Sequence, residues 1–142
     1  MFSQVIVEVM LRKISYISIS MLLATASCIR LSIKPEMLRG KWNYVKVENP
    51  NSNPPDSVSS GEIKAQAPYI LFTKQDSLQI WWGGKLLSHG SYRIDHTNIL
   101  FKEILPGGKT REFPFIVSTM MAKKIVFETT GVDGTMVTAV KQ

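Results

Sequence analysis

The strongest constraint on the fold is a series of short strand-like segments that begins near Leu38 and runs to the end of the chain. Each segment is rich in Val, Ile, Phe, Tyr, Trp or Thr and is bounded by Gly, Pro, Asn, Asp or Ser, the composition typical of strands and turns. No helical periodicity is apparent there. We therefore predict an all-β domain over residues 38–142 with about eight strands, one after Gly40 and the others at residues 69–73, 78–82, 91–95, 98–104, 110–117, 125–129 and 136–140.

Short turns between these segments indicate that each strand pairs with the next in an antiparallel meander. Within 110–117, Phe113, Phe115 and Val117 should face one way while the residues between them face the other. Closure of the meander into a β-barrel would remove exposed edges, which otherwise favour aggregation, although an open sheet or a sandwich is also compatible with the pattern. The polar stretch 49–61, rich in Pro, Ser and Asn, is predicted to be a loop.

The N-terminal segment has the organisation of a signal peptide. The basic residues Arg12 and Lys13 precede an apolar stretch at 14–26, and small residues lead to Cys28. This 13-residue stretch is shorter than the ~20 residues that a transmembrane helix needs. We assign residues 1–27 to the leader and suspect that translation starts at Met10, because the preceding segment places Glu8 ahead of the basic pair.

Residues 25–28, Thr-Ala-Ser-Cys, resemble the lipobox of bacterial lipoproteins. The resemblance implies cleavage before Cys28, a diacylglycerol on its thiol, a tether over residues 28–37 and anchoring in a membrane through the lipid. Residues 29–32 lack the acidic cluster that marks surface export in Bacteroides-like bacteria. We therefore expect an outer-membrane lipoprotein of the cell envelope that faces the periplasm. The alternative is an ordinary secretory signal with an incidental cysteine, the only one in the chain.

The basic charge does not indicate nucleic-acid binding. The chain carries a formal net charge of +6, but its lysines and arginines are dispersed and never form a run longer than two. A nucleic-acid site would concentrate them on one stripe with stacking aromatic residues. A solvated basic surface near an anionic membrane is the favoured interpretation, and no nucleic-acid partner is expected.

No catalytic or metal-binding motif stands out. His89 and His96 are the only histidines, and neither has a cysteine or a carboxylate cluster nearby with the spacing of metal ligands. A Gly-x-Ser-x-Gly nucleophile motif is also missing. We therefore expect neither an enzyme nor a bound metal or cofactor.

The start of the first predicted strand, residues 38–42, carries a Gly-x-Trp motif formed by Gly40 and Trp42. This motif resembles the one that opens the first strand of lipocalins, and about three-quarters of the chain is similar to the lipocalin-like lipoproteins of Bacteroides relatives. The resemblance implies a lipocalin-like β-barrel whose closed end is plugged by Trp42 beside Gly40. The family places an arginine on this tryptophan near the chain end, where Lys141 is the nearest cation here.

A barrel of about eight strands is just wide enough to be filled by side chains or to hold one small ligand. We predict a lipid-anchored domain that binds a small apolar or amphipathic ligand; a filled barrel that serves as a protein-interaction, inhibitor or scaffold domain is the alternative. One of Trp81 and Trp82 should face inward and the other outward. We favour the interpretation in which both are packed, the outer one beneath the 49–61 loop, over an exposed tryptophan at a contact surface. The ligand-cavity candidates, chosen as strand aromatics, are Tyr69, Phe72, Trp82, Tyr92, Phe101 and Phe115.

Overall fold

The computed structural model describes residues 32–131 and 134–142, so the predicted leader, Cys28 and the first part of the tether lie outside the described residues. This part of the chain forms nine strands, two short helices and one 3-10 turn at Pro106–Gly108. The helices are α1 (Pro35–Leu38) and α2 (Ser60–Gln66). The strands are β1 (Gly40–Asn49), β2 (Asp56–Ser57), β3 (Tyr69–Phe72), β4 (Ser77–Trp82), β5 (Lys85–Asp95), β6 (Asn98–Ile104), β7 (Thr110–Met120), β8 (Lys124–Thr129) and β9 (Met136–Lys141).

Strands β1 and β3–β9 close into an eight-stranded antiparallel barrel, which confirms the all-β prediction and decides in favour of closure. Each strand from β3 to β9 pairs with the next, and β1 pairs with both β3 and β9. Trp42 lies opposite Ile70 on one side and Lys141 on the other. The two-residue strand β2 adds to the end of β1. Because the ladder closes on itself, each of these eight strands is paired along both sides. A chain that starts at residue 28 contains all eight of them.

The barrel has two unlike ends. The start of β1, helix α1 and the turns after β3, β5 and β7 lie at the closed end, whereas the loop after β1, helix α2 and the turns after β4, β6 and β8 lie at the open end. The register of each antiparallel pair requires this arrangement. Ile33 and Leu38, which precede β1, cover the closed end of the barrel and are buried in the core.

Inward-facing apolar side chains fill the closed half of the barrel. On β7, Phe115 and Val117 are buried while Ile116 is 45% exposed, as the alternation predicts. A bulge in β1 leaves Val45 unpaired and 48% exposed between Tyr44 and Lys46, which shifts the register within the strand. The fully buried interior residues on the strands are Trp42, Ile70, Phe72, Leu78, Ile99, Phe101, Phe115, Ile125, Phe127 and Ala139.

Gly90 allows β5 and β6 to approach closely. A Cβ atom at this position would lie 2.0 Å from the carbonyl oxygen of Lys102. That distance is far below van der Waals contact, so only a residue without a side chain fits there. The backbones of β5 and β6 are therefore in close contact where Gly90 passes Lys102.

The structure corrects the predicted loop, because strand β2 and the first two residues of helix α2 lie within residues 49–61. Helix α2 was not predicted, because its single buried residue, Ile63, leaves no periodicity to detect. The Ser59 hydroxyl caps this helix by accepting a hydrogen bond from the Glu62 amide at 3.2 Å, and Ala67 ends it with a left-handed φ of 42°. The end of the predicted tether belongs to the domain, since Ile33 is only 6% exposed.

Alkaline pH is expected to destabilise the barrel through its buried tyrosines. Burial raises the pKa of Tyr44, and burial together with the negative charge of Asp76 raises the pKa of Tyr92. The folded state therefore keeps phenolic protons that the unfolded chain loses at pH ~10. The free energy of unfolding should fall as pH rises above that value. Urea unfolding at about pH 8 and about pH 11 measures the loss.

The matched variant for this measurement is Tyr44→Phe, which keeps the ring and removes the ionisable hydroxyl. Its stability should fall less between the two pH values than that of the parent chain. An equal fall in both proteins would show that other groups cause the alkaline destabilisation.

Candidate functional site at the open end of the barrel

A cavity of about 640 Å³ opens to solvent at the open end of the barrel. Its volume lies within the range of small-molecule binding sites, about 300–1,000 Å³. The described residues that line it come from β4–β8 and the segments that follow them: Ile80, Leu87, Ser88, Phe101, Glu103, Arg111, Glu112, Phe113, Phe115, Thr129 and Thr130.

The floor of the cavity is aromatic. Phe101 and Phe115 are fully buried, with ring centroids 5.6 Å apart, and the half-buried Phe113 packs edge-on against both. Phe127 lies beneath, 5.0 Å from Phe115, and closes the path toward the filled half. A ligand in this cavity would therefore rest on an apolar surface without reaching the closed end.

One wall of the cavity is polar. Glu103 is only 7% exposed, and its carboxylate accepts a hydrogen bond from the Ser88 hydroxyl at 2.5 Å and another from Nε of Arg111. The register makes this pairing possible, because Glu103 and Arg111 lie directly opposite each other on β6 and β7. A buried carboxylate is tolerated only when it is paired and hydrogen-bonded, and both conditions are met here.

The Arg111 guanidinium contacts the Glu103 carboxylate on one side and solvent on the other. Its central carbon is 5.2 Å from the Phe113 ring centroid, within cation–π distance. The side chain remains 62% exposed. Contact with the ring and the bond to Glu103 together fix the orientation of a cation at the rim of the cavity.

The aromatic residues predicted to line a cavity are divided among several places. Phe101 and Phe115 lie in the cavity lining. Phe72 and Tyr92 are buried together in the closed half, with ring centroids 5.1 Å apart. Trp82 is half-buried and packs against the core without lining the cavity.

Tyr69 lies outside the barrel, which corrects its place among the cavity candidates. Its neighbour Ile70 is in the core, so the alternation of β3 turns Tyr69 outward. There it stacks on Trp81 with centroids 5.8 Å apart, and Nζ of Lys41 lies 4.3 Å from its ring. Trp81 is thus the outward member of the tryptophan pair, and it is half-buried by this stack.

Trp42 lies fully buried at the closed end. Its indole Nε1 donates to the carbonyl oxygen of Leu38 at 2.6 Å. Nζ of Lys141 lies 5.1 Å from the indole ring and donates to the carbonyl oxygen of Met37 at 3.0 Å. Gly40 has a φ of 117°, a conformation that favours glycine.

The polar wall was missed because only aromatic residues were considered as candidates, and Phe113 was left out although the alternation of β7 had placed it on the same side as Phe115. The alternation of β6 places Glu103 on the same side as Phe101, and the alternation of β7 places Arg111 and Phe113 on the same side as Phe115. Period-two alternation, extended to polar residues, was the signal that could have found them. Leu87 could not be found that way, because it lies at a β-bulge and has no partner on β4.

The histidines lie apart from the cavity. His89 is exposed on the outer side of β5, and His96 sits in the turn after β5 with a φ of 58° and its Nδ1 2.7 Å from the Asp95 carboxylate. Within residues 32–131 and 134–142, no group of three His, Cys, Asp or Glu side chains is placed to hold a metal ion. No helix in this same part of the chain has the length and apolar character to cross a membrane.

The chain matches no protein-family model, and no curated protein is significantly similar to it in sequence. The lining side chains therefore indicate what the cavity binds.

Proposed function

We propose that this chain is a lipid-anchored envelope lipoprotein whose lipocalin-like barrel binds one small apolar or amphipathic ligand at its open end. The observation that carries the proposal is the open cavity of about 640 Å³ with an aromatic floor and one polar wall. Ligand sites typically combine apolar lining with a few fixed polar groups that orient the ligand.

The anchoring part of the proposal is supported by the sequence. A basic segment, an apolar stretch and the lipobox-like residues 25–28 precede the barrel. A lipid on Cys28 would hold the domain at a membrane surface, and the dispersed basic charge suits an anionic surface. In this proposal the domain faces the periplasm.

A second candidate is a protein-interaction or scaffold domain, and one surface favours it. The outer cluster formed by Lys41, Tyr69, Trp81 and Leu86 lies across β1, β3, β4 and β5. Leu86 is 44% exposed and lies opposite Trp81. Aromatic residues beside a cation are common at protein interfaces.

Two adjacent leucines allow a sharp test of ligand binding. Leu87 lines the cavity and is 68% exposed, whereas Leu86 is exposed on the outer face. Leu87→Asp should weaken the binding of Nile red, an apolar fluorophore, by about tenfold, because the bound dye would cover the new carboxylate and remove water from it. Leu86→Asp should leave the affinity within about twofold of the parent chain, because the same change is made outside the cavity.

The measurement is a Nile red fluorescence titration of the chain from residue 28 onward, with Ala in place of Cys28. Urea unfolding of each variant checks that the barrel is intact. Absence of Nile red binding to the parent chain, or equal weakening by both substitutions, would reject the cavity as the binding site. The interaction-domain candidate would then be preferred.

A further inference from the structure

We infer that the ligand carries an anionic head group, a carboxylate, which binds the terminal nitrogens of Arg111 while its apolar part lies on the aromatic floor. This inference rests on the proposed function, because it specifies the chemistry of the ligand for the same cavity. Arg111 would then determine specificity, and Glu103 would position it.

The balance of donors and acceptors on the polar wall favours an acceptor in the ligand. The Glu103 carboxylate is already engaged, since it accepts hydrogen bonds from Ser88 and from Nε of Arg111. The terminal nitrogens of Arg111 make no hydrogen bond to any described residue. A guanidinium presents its donors in a planar fork that matches a carboxylate, so the unused part of the wall is a carboxylate receptor.

The receptor is held in place before any ligand arrives. The Nε side of Arg111 is fixed by a buried carboxylate, and the guanidinium lies 5.2 Å from the Phe113 ring centroid. An arginine side chain that is already oriented loses less conformational entropy when a ligand binds. Glu103 thus acts on the ligand through Arg111.

The charges around the cavity do not oppose an anion. The negative charge of Glu103 is paired with Arg111, and the other lining carboxylate, Glu112, is 3.3 Å from Arg93 on the outer face. Both lining carboxylates are therefore compensated by arginines.

The arrangement of wall and floor also sets the form of the ligand. Phe113 is adjacent to the receptor, while Phe101 and Phe115 lie deeper on the same inner face. A single-chain amphiphile could place its head on Arg111 and its chain on the half-buried Phe113 and the exposed Leu87, above the buried rings. The floor is closed by Phe127, which favours a short chain over a long one.

Three probes that share a chain and differ in the head group test the inference: decanoate, decanol and decyltrimethylammonium. Each is titrated into the chain from residue 28 onward, with Ala in place of Cys28, that has been loaded with Nile red. We expect decanoate to displace the dye at about tenfold lower concentration than decanol, with decyltrimethylammonium the weakest. Arg111→Gln should remove the preference for decanoate and leave decanol within about twofold of its original affinity.

The control is Lys109→Gln, which removes one positive charge two residues away without changing the cavity lining. It should keep the preference for decanoate. Equal affinity for decanoate and decanol, survival of the preference in Arg111→Gln, or a preference for the cationic probe would overturn the head-group inference while Nile red binding upholds the proposed function. Failure of Nile red and of all three probes to bind would overturn both.

Discussion

Replacement of Trp42 by alanine is expected to lower the free energy of unfolding by about 3–5 kcal/mol, the range for deletion of a large buried aromatic side chain. Trp42 is fully buried, and its indole donates to the Leu38 carbonyl at 2.6 Å. Its removal would leave a void at the closed end, an unpaired buried carbonyl and a lysine, Lys141, without its aromatic partner. Urea unfolding of the chain from residue 28 onward, carrying Cys28→Ala in every variant, measures the change.

Two further variants separate the reasons for this effect. Trp42→Phe keeps most of the packing and loses the indole donor, so about 1–3 kcal/mol should be lost. Trp81→Ala removes an outward, half-buried indole of the same size and should cost about 1 kcal/mol, the value of an aromatic stack. If Trp42→Ala were no more destabilising than Trp81→Ala, the closed end would not depend on Trp42.

Replacement of Cys28 by alanine is expected to abolish lipid attachment completely, because no other cysteine occurs in the chain. The full-length chain, expressed with its own leader in a bacterium with an outer membrane, should incorporate an alkyne-labelled fatty acid and sediment with membranes. The Cys28→Ala variant should carry no label. A thioether-linked diacylglycerol requires the thiol, so a partial effect is not expected.

The matched control for this experiment is Ser27→Ala, which keeps a small residue immediately before the cysteine. It should be labelled like the parent chain. Removal of the leader without labelling in the parent chain would show an ordinary secretory signal, and Cys28 would then be an incidental thiol. That result would leave the ligand-binding proposal unaffected, because the cavity lies entirely within the barrel.

Local sequence patterns were sufficient to predict the eight strands of the barrel, although not the two-residue strand β2. Turn residues separate the strands, and alternation along β7 places Phe113, Phe115 and Val117 on one face. These signals depend only on neighbours in the chain, since side chains alternate sides with a period of two. The Gly-x-Trp motif at Gly40 and Trp42 likewise marked the position where the structure has a buried indole.

Alternation failed where both faces of a strand are apolar. The residues of β3, Tyr69–Phe72, are apolar or aromatic at every position, so the sequence does not reveal which pair faces inward. Tyr69 was chosen as a cavity candidate because it is an aromatic residue on a strand, and it lies outside the barrel. Helix α2 was missed because about two turns of helix with a single buried residue leave too little periodicity to recognise.

The sequence alone therefore determined that this chain forms an all-β domain of about eight strands, connected as an antiparallel meander. Only the tertiary structure decided that β1 meets β9, that the cavity lies at the end opposite Trp42, and that Glu103 faces Arg111. The physical reason is that strand register and barrel closure are set by hydrogen bonds between distant segments. A local pattern shows which side a residue occupies, whereas the register shows which residue it meets.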